Sequence, residues 1–316
     1  MMLDIYEMEV FLAAAETGSF SEAGRRLQLS QPAVSMQIRS LERRLGVDLF
    51  HRSGRHIDLT EIGQALVPMA RDLVSHAAQV RENVAAMQGA VVGVLRIACS
   101  TTAGKYVLPK LIGGFIERFP AVQVDCQVVG RDSALQMVIQ GEAQVAISSL
   151  REPSRDLEYR QFITDPVVLI APPGHPWAAQ GSIETADLPA GRFIRREIDS
   201  GTQQTVIEAL AEHDLSPNDL PTVMILGNSE AIYMAVAEGI GVAFVSYRAA
   251  AEGIAAGRVV EIPVRGLNMT QQLYMVRHTV RHASAVQSAF WDYVYAPENR
   301  PLLTQHSSRP ALSLAE

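Results

Sequence analysis

Hydroxyl and amide side chains recur at four points in the sequence where a predicted strand ends and a predicted helix begins. The positions are Ser100, Thr101 and Thr102; Ser148 and Ser149; Ser200, Gly201 and Thr202; and Asn228 and Ser229. Backbone N–H groups at helix N-termini point outward, so a small anion would fit among such side chains. Arg195 and Arg196 precede the third group and could add positive charge. The alternative is that each residue only caps its own helix, which explains any single position better than four that converge.

The elements that must position these residues extend from residue 93 onward. Apolar runs alternate with helical stretches and predict two α/β lobes, with strands at VLRIACS, VQVDCQVV, AQVAISS, PVVLIAPPG, RFIRRE, TVMIL and GVAFVS. The strand QQLYMVRH and the helix SAVQSAFWDYV are predicted to return to the first lobe and close it. Ligands in such folds bind at the C-terminal ends of strands, so the polar groups are expected to line a cleft between the lobes.

A second group of polar side chains recurs on one side of a predicted helix near the N-terminus: Gln31, Ser35, Arg39 and Arg43. An apolar stripe occupies the other side: Val34, Ile38, Leu41 and Leu45. Ser30 is placed to cap this helix, and a shorter helix capped by Ser21 precedes it across a tight turn. The pattern fits a helix-turn-helix whose second helix enters the major groove, and it also fits a plain helical hairpin.

The next segment favours the helix-turn-helix. VDLFHRSGRHIDLT predicts two short strands around Ser53 and Gly54, which form a wing that carries Arg52 and Arg55. Wing arginines suit contact with phosphates or with the minor groove. Residues 21–59 contain seven arginines and only four acidic residues, although the whole chain has a net charge of -7. We therefore predict a confined contact with a polyanion.

A long helix capped by Thr60 is predicted to follow the wing. Its apolar residues alternate in steps of four and three: Ile62, Leu66, Met69, Leu73, Val80, Val84 and Met87. His76 fills the one gap in this seam, and Pro68 is expected to kink the helix. The seam is typical of a coiled coil. About 28 residues would span roughly 40 Å, enough to hold two winged domains on successive turns of DNA.

Residues typical of other functional classes are missing from the sequence. It contains no G-x-S-x-G nucleophile elbow and no phosphate-binding glycine loop, and His278 and His282 are predicted not to bind a metal. Cys99 and Cys126 are expected to be core residues, with a redox role for Cys99 left open. We predict neither an enzyme nor a cofactor. Without an apolar run of roughly 18 residues or a signal peptide, the expected location is the cytoplasm, with no membrane partner.

The motifs FLAAAETGSFSEAGRRLQLSQPAVSMQIRSLERRLGVDLFHR and LTEIGQAL resemble those of LysR-type transcriptional regulators, and the resemblance extends to about residue 295. The effector half is similar to the branch that controls sulfur assimilation and carbon fixation, through STTAGKYVLPKLIGGFIERFP and RREIDSGT. The resemblance implies base contacts from Gln31, Pro32 and Ser35 and a minor-groove approach by Arg52. It also implies assembly through the linker helix and between effector domains, as homodimers and homotetramers, with RNA polymerase as a further partner.

The complete set of predicted DNA-binding residues is Gln31, Pro32, Ser35, Met36, Arg39, Arg52 and Arg55. The effector contacts implied by the resemblance are Ser100, Thr101, Thr102, Ser149, Thr202 and Asn228. Met36 stands where the family often has Arg, which alters one DNA contact. Gln203 stands where the family often continues the Ser-Gly-Thr motif with Arg, so a less positive effector pocket is expected.

We predict an α/β protein with an N-terminal winged helix-turn-helix, a linker helix and a two-lobed effector domain like that of periplasmic binding proteins. The predicted boundaries are 1–59 for the DNA-binding domain, 60–88 for the linker (dimerisation) helix, 93–163 and 267–295 for lobe I, 164–266 for lobe II, and 297–316 for a mobile tail. The predicted function is sequence-specific regulation of transcription on double-stranded promoter DNA, controlled by a small anion between the lobes. The alternatives are a constitutive repressor with a vestigial cleft, or a solute-binding or catalytic α/β protein fused to a DNA-binding head.

Overall fold

The computed structural model of the chain describes residues 3–53 and 56–304. Two compact units divide it: the first is formed mainly by residues up to Gly93, and the second by most of the remainder. Within the described residues, no helix is long and apolar enough to cross a membrane. The predicted wing residue Arg55 lies outside the described residues.

Three helices form the head of the first unit: α1 (Ile5–Thr17), α2 (Phe20–Leu27) and α3 (Gln31–Leu45). The α2 cap is Ser19 and not Ser21, because the extended backbone of Ser19 directs its Oγ to accept from Glu22 N at 3.4 Å. Ser30 caps α3 as predicted and accepts from Ala33 N at 3.3 Å. The turn between α2 and α3 is tight, since a Cβ at Gly24 would lie 2.7 Å from the Leu29 carbonyl oxygen.

The wing consists of two antiparallel strands, β1 (Phe50–Ser53) and β2 (His56–Leu59). The buried Glu42 of α3 accepts hydrogen bonds at Oε1 from Leu49 N at 3.0 Å and Phe50 N at 3.4 Å. The Phe50 ring also packs 5.6 Å from Phe11 and 5.5 Å from Phe20, measured between centroids. The start of the wing is therefore held directly by α3 and by the aromatic core of the head.

The helix after the wing, α4 (Glu61–Met87), begins at Thr60, whose Oγ1 accepts from Gly63 N at 3.0 Å. It runs without interruption through Pro68. One side of its N-terminal half packs against the core of the head, through Leu66, Val67, Ala70 and Val74.

The second unit contains eleven strands and nine helices in its described residues. The strands are β3 (Gly93–Cys99), β4 (Val122–Val128), β5 (Val145–Ser148), β6 (Leu157–Ala171), β7 (Ile183–Glu184), β8 (Phe193–Arg196), β9 (Thr222–Leu226), β10 (Ala243–Ser246), β11 (Val260–Ile262), β12 (Val264–Arg265) and β13 (Met269–His278). The helices are α5 (Thr101–Tyr106), α6 (Leu108–Arg118), α7 (Arg131–Ile139), α8 (Pro176–Gln180), α9 (Gly201–Ala211), α10 (Ser229–Ala237), α11 (Tyr247–Ala255), α12 (Ala285–Val294) and α13 (Arg300–Thr304).

Seven of these strands form one mixed sheet in the order β10-β6-β13-β5-β3-β4, with β11 paired to β6. β3 and β5 are parallel, as expected for the α/β centre of the first lobe, and β13 returns antiparallel to β5. The second lobe adds the parallel pairs β8 with β9 and β7 with β12. Strand ends of both lobes therefore precede the polar groups identified in the sequence.

β6 is longer than predicted. The sequence indicated a strand at PVVLIAPPG, whereas the structure has one continuous strand of 15 residues, Leu157–Ala171. It pairs with the whole length of β13, with an irregularity between Leu273 and Tyr274. The polar residues of its first half obscure the strand pattern in the sequence, and only pairing with β13 makes that half a strand.

Asp165 lies near the middle of β6, opposite Gln271 of β13, and its side chain is 0% exposed. Ser246 Oγ donates to Asp165 Oδ1 at 2.9 Å, and Arg248 Nε lies 3.7 Å from the same oxygen. Burial raises the pKa of Asp165 to about 7, against the opposing effects of the Ser246 hydrogen bond and the Arg248 charge.

The C-terminal segment differs from the predicted mobile tail. A 3-10 turn covers Pro297–Asn299, and α13 follows it. Asn299 is buried, and its Nδ2 donates to the Tyr293 carbonyl at 2.7 Å, which ties the turn to α12. Helical turns therefore replace the mobile chain expected over 297–304, and residues 305–316 lie outside the described residues.

Candidate DNA-reading face and effector cleft

The predicted reading face of α3 is presented to solvent. Gln31, Pro32, Met36 and Arg39 are exposed and Ser35 is half-buried. Behind them, Val34, Ile38 and Leu41 are fully buried in the core of the head. Met36 is 64% exposed, which matches a residue held outward by a helix whose other side is packed.

Two buried carboxylates hold α3 in place from behind. Glu42 accepts from the wing backbone, and Glu7 of α1 is 2% exposed and lies 3.0 Å from Arg44 at the C-terminal end of α3. These partners leave the N-terminal half of α3, which carries the predicted base contacts, on the open side. Arg52 lies in β1, whose start is bound to the same helix.

The predicted seam of α4 is largely uncovered within one chain. Six of its apolar residues are exposed: Ile62, Met69, Leu73, Val80, Val84 and Met87. Leu66 is partly buried because it also contacts the head. His76 lies exposed in the gap, with its Nδ1 2.7 Å from the Asp72 carbonyl oxygen one turn earlier. A continuous apolar stripe of this kind is expected to have a partner.

A cleft with a volume of about 230 Å³, open to solvent on one side, lies within the second unit. From the first lobe it is lined by Ser100, Thr101, Thr102, Val128, Val129, Gly130 and Arg131. From the second lobe and the returning strand β13 it is lined by Arg196, Glu197, Asp199, Ser200, Gly201, Thr202, Gly227 and Gln271. The structure thus brings residues from both lobes, far apart in sequence, to one site.

Four of the six predicted effector contacts line this cleft: Ser100, Thr101, Thr102 and Thr202. Ser149 lies beside it, because a Cβ on Gly201 would fall 2.2 Å from Ser149 Oγ. Asn228 turns back to its own helix, where Oδ1 accepts from Glu230 N at 2.8 Å and Ala231 N at 3.2 Å. For Asn228, the structure shows the capping role that the sequence left as an alternative.

The N-termini of α9 and α10 differ. The Asn228 side chain occupies the first N–H groups of α10. At α9 the N-cap residue Ser200 makes no capping hydrogen bond with its side chain, and Ser200, Gly201 and Thr202 all face the cleft. The positive end of the α9 dipole is therefore the one available to an anion in the cleft.

The cleft arginines are compensated to different extents. Arg196 donates from Nε and Nη2 to the Glu197 carboxylate at 2.8 and 2.6 Å, and from Nη1 to Ser229 Oγ at 2.6 Å. Burial acts to raise the pKa of Glu197, but Arg196 outweighs it and lowers that pKa below its ordinary value. Arg195 points elsewhere and donates to the Pro217 carbonyl at 3.1 Å.

Arg131 is the cleft residue that sequence reasoning missed. Its Nε is buried without a hydrogen-bond partner in the described structure, and the nearest paired carboxylate oxygen, Asp132 Oδ2, is 3.7 Å away. The position of Arg131 at a strand-to-helix junction could have identified it, as the same position identified the hydroxyl groups. Arg131 begins α7, three residues after the end of β4. Ser148 has a structural role here, since its Oγ donates to the Arg131 carbonyl at 3.1 Å.

Gln203 is not among the residues that line the cleft. It is buried in the second lobe, where it borders the interior beside Phe193 and Val206. Its difference from the family's usual Arg therefore bears on the interior of that lobe, and the charge of the cleft depends on Arg131 and Arg196.

A hydrogen-bonded ion pair bridges the two lobes next to the cleft. Lys105 of α5 lies 2.6 Å, Nζ to Oε2, from Glu230 of α10, and Tyr106 OH donates to Glu230 Oε1 at 3.3 Å. The hydrogen bond from Lys105 lowers the pKa of Glu230 below its ordinary value. Both helices begin next to the polar groups at the strand ends. Movement of one lobe relative to the other would therefore change the distance between Lys105 and Glu230.

Cys99 is buried and Cys126 is half-buried, and their sulfur atoms lie 3.6 Å apart as free thiols on β3 and β4. Among the residues that the structure describes, no group of three His, Cys, Asp or Glu side chains could hold a metal ion.

Comparison with known proteins identifies the class of protein. The family profile "Bacterial regulatory helix-turn-helix protein, lysR family" matches residues 5–64, and the profile "LysR substrate binding domain" matches residues 88–296. The chain therefore belongs to the LysR family of transcriptional regulators. It is a DNA-binding regulator with an effector-binding domain, as predicted.

The most similar proteins that we describe indicate which branch of the LysR family the chain resembles. The chain is 33% identical to the transcriptional activator CmpR of Synechocystis sp. over 302 residues, covering 95% of this chain and 98% of CmpR. It is 30% identical to the RuBisCO operon transcriptional regulator of Allochromatium vinosum over 300 residues, covering 95% and 98% of the two chains. These relatives match the carbon-fixation part of the predicted branch. They are named as regulators and not as enzymes, and they lend no support to a catalytic fusion.

Two solved structures agree in fold. Full-length CbnR complexed with its target DNA has a TM-score of 0.65 at 21% identity, over 92% of this chain and 99% of that one. The CcmR regulatory domain of Synechocystis PCC6803, solved in complex with 2-PG, has a TM-score of 0.57 at 29% identity. That domain covers 64% of this chain, and the match includes 95% of the domain.

Proposed function

We propose that this chain is a cytoplasmic regulator that binds an interrupted palindrome in double-stranded promoter DNA and changes access of RNA polymerase in response to a small anion. Gln31, Pro32 and Ser35 of α3 would contact base edges in the major groove. The arginines Arg39, Arg52 and Arg55 would contact phosphates or the minor groove. The support is the exposure of the α3 face on a helix that is buried from behind.

A second copy of the chain is the partner we propose for the α4 seam. The exposed residues of the seam follow a coiled-coil repeat, and a stripe of this length is too apolar to be favourable in water. Dimerisation through α4 would present two α3 helices to the two halves of a palindrome. Further contacts between effector domains would complete the homotetramer that the family resemblance implies.

The proposed effector is a compact phosphorylated carboxylate. The single observation that carries this proposal is the uncapped N-terminus of α9 in a cleft that both lobes line. The CcmR regulatory domain, which is 29% identical, is in complex with 2-PG, and this supports the same chemical class for the present chain. Arg131 and the cleft hydroxyls add donors suited to oxyanions.

Coupling requires that the anion bind two lobe arrangements with different affinities. The bridge from Lys105 and Tyr106 to Glu230 crosses from one lobe to the other beside the cleft, so an effector held by both lobes would favour the arrangement in which this bridge is formed. A change in lobe arrangement would then alter the placement of the two DNA-binding pairs and the bending of the promoter.

The test is a thermal-shift screen of the full chain, followed by footprinting on its own promoter. A ligand at 100 times its Kd should stabilise the fold by about 2.7 kcal/mol. We expect 2-phosphoglycolate to raise the melting temperature and to change the footprint. A footprint on a controlled promoter that no anion alters would favour the constitutive repressor, and turnover of any ligand would favour a catalytic domain.

A further inference from the structure

Of the two arginines that line the cleft, Arg131 has the less compensated charge. Its side chain is 17% exposed and its Nε is buried without a hydrogen bond, while the Asp132 carboxylate 3.7 Å away is itself 56% exposed. Arg196, by contrast, is bound on three sides by Glu197 and Ser229. An anionic group that enters the cleft would gain more from Arg131 than from Arg196, because Arg196 is already hydrogen-bonded to Glu197 whereas Arg131 has only the solvent-exposed Asp132 carboxylate 3.7 Å away.

Buried hydroxyls of the first lobe lie in the same region without partners. Ser100 Oγ and Ser149 Oγ are both buried and make no hydrogen bond in the described structure. Ser100 lines the cleft with Arg131, and Ser149 lies next to Gly201 at its border. Buried polar atoms are almost always hydrogen-bonded, so hydroxyls without partners near a guanidinium whose Nε makes no hydrogen bond indicate a place for oxygen atoms of a ligand.

The second lobe offers a separate position for an anion. The α9 N-terminus, at Ser200 to Thr202, has no side-chain cap and faces the cleft. The carboxylates of Glu197 and Asp199 also line the cleft. Their negative charge disfavours an anion spread over the whole surface and favours two anionic groups at two places, one at Arg131 and one at α9.

On this basis, which rests on the proposed function of the cleft, we propose that the effector carries two anionic groups, one for each lobe. Arg131 binds the carboxylate on the first lobe, and the N-terminus of α9 binds the phosphate on the second. Arg131 is thus the residue that distinguishes a phosphorylated carboxylate from a simple phosphate. The ligand ties the lobes together because its two charged groups are bound by residues of different lobes. A ligand with one charged group can satisfy only one of them.

Binding of matched ligands to the full chain tests this assignment. The probes are 2-phosphoglycolate and ethyl phosphate, which have similar size but differ in the carboxylate, and binding is measured by titration calorimetry at fixed salt. For the wild type we expect 2-phosphoglycolate to bind at least 10-fold more tightly than ethyl phosphate. Arg131→Gln should remove most of that preference by weakening 2-phosphoglycolate alone, and Arg131→Lys should retain part of it, since Lys keeps the charge without the bidentate geometry.

Arg155→Gln is the matched control, because Arg155 is an exposed arginine that does not line the cleft. It should preserve the wild-type preference. The melting temperature of each variant without ligand reports whether the fold is intact, and Arg131→Lys supplies the comparison if Arg131→Gln is unstable.

The possible outcomes distinguish the role of Arg131 from the effector class proposed for the cleft. If the wild type prefers 2-phosphoglycolate and Arg131→Gln keeps the same preference, the role of Arg131 is overturned while the cleft remains the effector site. Equal binding of the two probes to the wild type would overturn the two-group ligand. If neither probe binds the wild type at all, the proposed effector class fails and this inference fails with it.

Discussion

The α3 face and the effector cleft use polar side chains in opposite ways. On α3 the predicted contacts come from one helix and are exposed, except for the half-buried Ser35, while the buried carboxylate of Glu42 has hydrogen-bond partners behind them. In the cleft the side chains come from several elements: α5, β4, α7, β8, α9 and β13. Several of their buried atoms, including Ser100 Oγ and Arg131 Nε, have no hydrogen bond in the described structure.

This difference indicates how each region depends on its ligand. Exposed side chains on α3 are hydrated in the free protein, so the head is complete without DNA. Buried polar atoms without partners lower the stability of a fold until a ligand supplies the missing hydrogen bonds. We therefore expect an effector to stabilise the lobes and to leave the packing of the head unchanged.

The largest expected effect concerns the α4 seam, through which we propose that two chains dimerise. Leu73→Glu with Val80→Glu places charges in the stripe and should abolish the α4 dimer, because buried like charges at a coiled-coil seam repel. Affinity for the full operator should fall on the order of 1,000-fold, since two linked reading heads become one. Sedimentation and fluorescence anisotropy measure the two effects. Gln64→Glu with Gln79→Glu adds the same charge on the same helix as a control, and persistence of the dimer in the seam variant would show that α4 is not the interface.

The next effect is a pH dependence confined to the lobes. The pKa of Asp165 is raised to about 7 in the folded chain, from an ordinary 3.8. Between these two pKa values the folded state keeps a proton that the unfolded state has lost. The contribution of Asp165 to the free energy of unfolding is therefore fully present below about pH 4 and is lost as pH rises through about 7, a change on the order of a few kcal/mol. Asp165→Asn mimics the protonated form and should flatten this fall.

Melting temperatures of the full chain at pH 5 and pH 8 provide the measurement. The exposed Asp156 of the first lobe provides the matched variant, Asp156→Asn, which should behave as the wild type. If Asp165→Asn and the wild type lost stability in parallel between these pH values, another group would have to be responsible.

A smaller effect is expected from the satisfied carboxylate of the head. Glu42→Ala removes the acceptor for Leu49 N and Phe50 N and should destabilise the head by about 1 to 3 kcal/mol. DNA affinity should fall with it, since the wing is no longer tied to α3. Thermal unfolding followed by tyrosine and DNA-binding signals measures this change, with the exposed wing residue Asp58→Ala as control. A normal head in Glu42→Ala would contradict the view that the reading face depends on buried partners.

The smallest effect distinguishes base reading from phosphate contact on the exposed face. Ser35→Ala should relax sequence preference by about 1 kcal/mol at one base pair, because one hydrogen bond to a base edge is lost. Arg52→Ala should instead weaken all sequences alike and reduce the dependence of binding on salt. Titrations against single-base operator variants at two salt concentrations separate these results. Equal losses on every operator from both changes would exclude base reading by Ser35.

The accuracy of the sequence predictions followed the range of the interactions involved. α3 and α4 begin where their caps Ser30 and Thr60 predicted, because capping is a contact between residues three apart. The first half of β6 was missed because its hydrogen bonds come from β13, more than 100 residues away. Helical turns past Pro297 were also missed, although the hydrogen bond from Asn299 to the Tyr293 carbonyl spans only six residues, because it forms only where the chain folds back onto the end of α12.

The sequence by itself determined the class of this protein, the exposed polar face of α3, the apolar seam of α4 and the strand ends that are followed by hydroxyl groups. The faces of α3 and α4 and the strands follow the periods of single helices and strands, so residues close together in the sequence specify them. Only the tertiary structure decided that Asn228 caps its helix, that Gln203 lies in an interior, and that Arg131 lines the cleft with a buried Nε that makes no hydrogen bond. Whether a polar side chain has a partner depends on which distant groups the fold places within about 3.5 Å of it, and no local pattern encodes that distance.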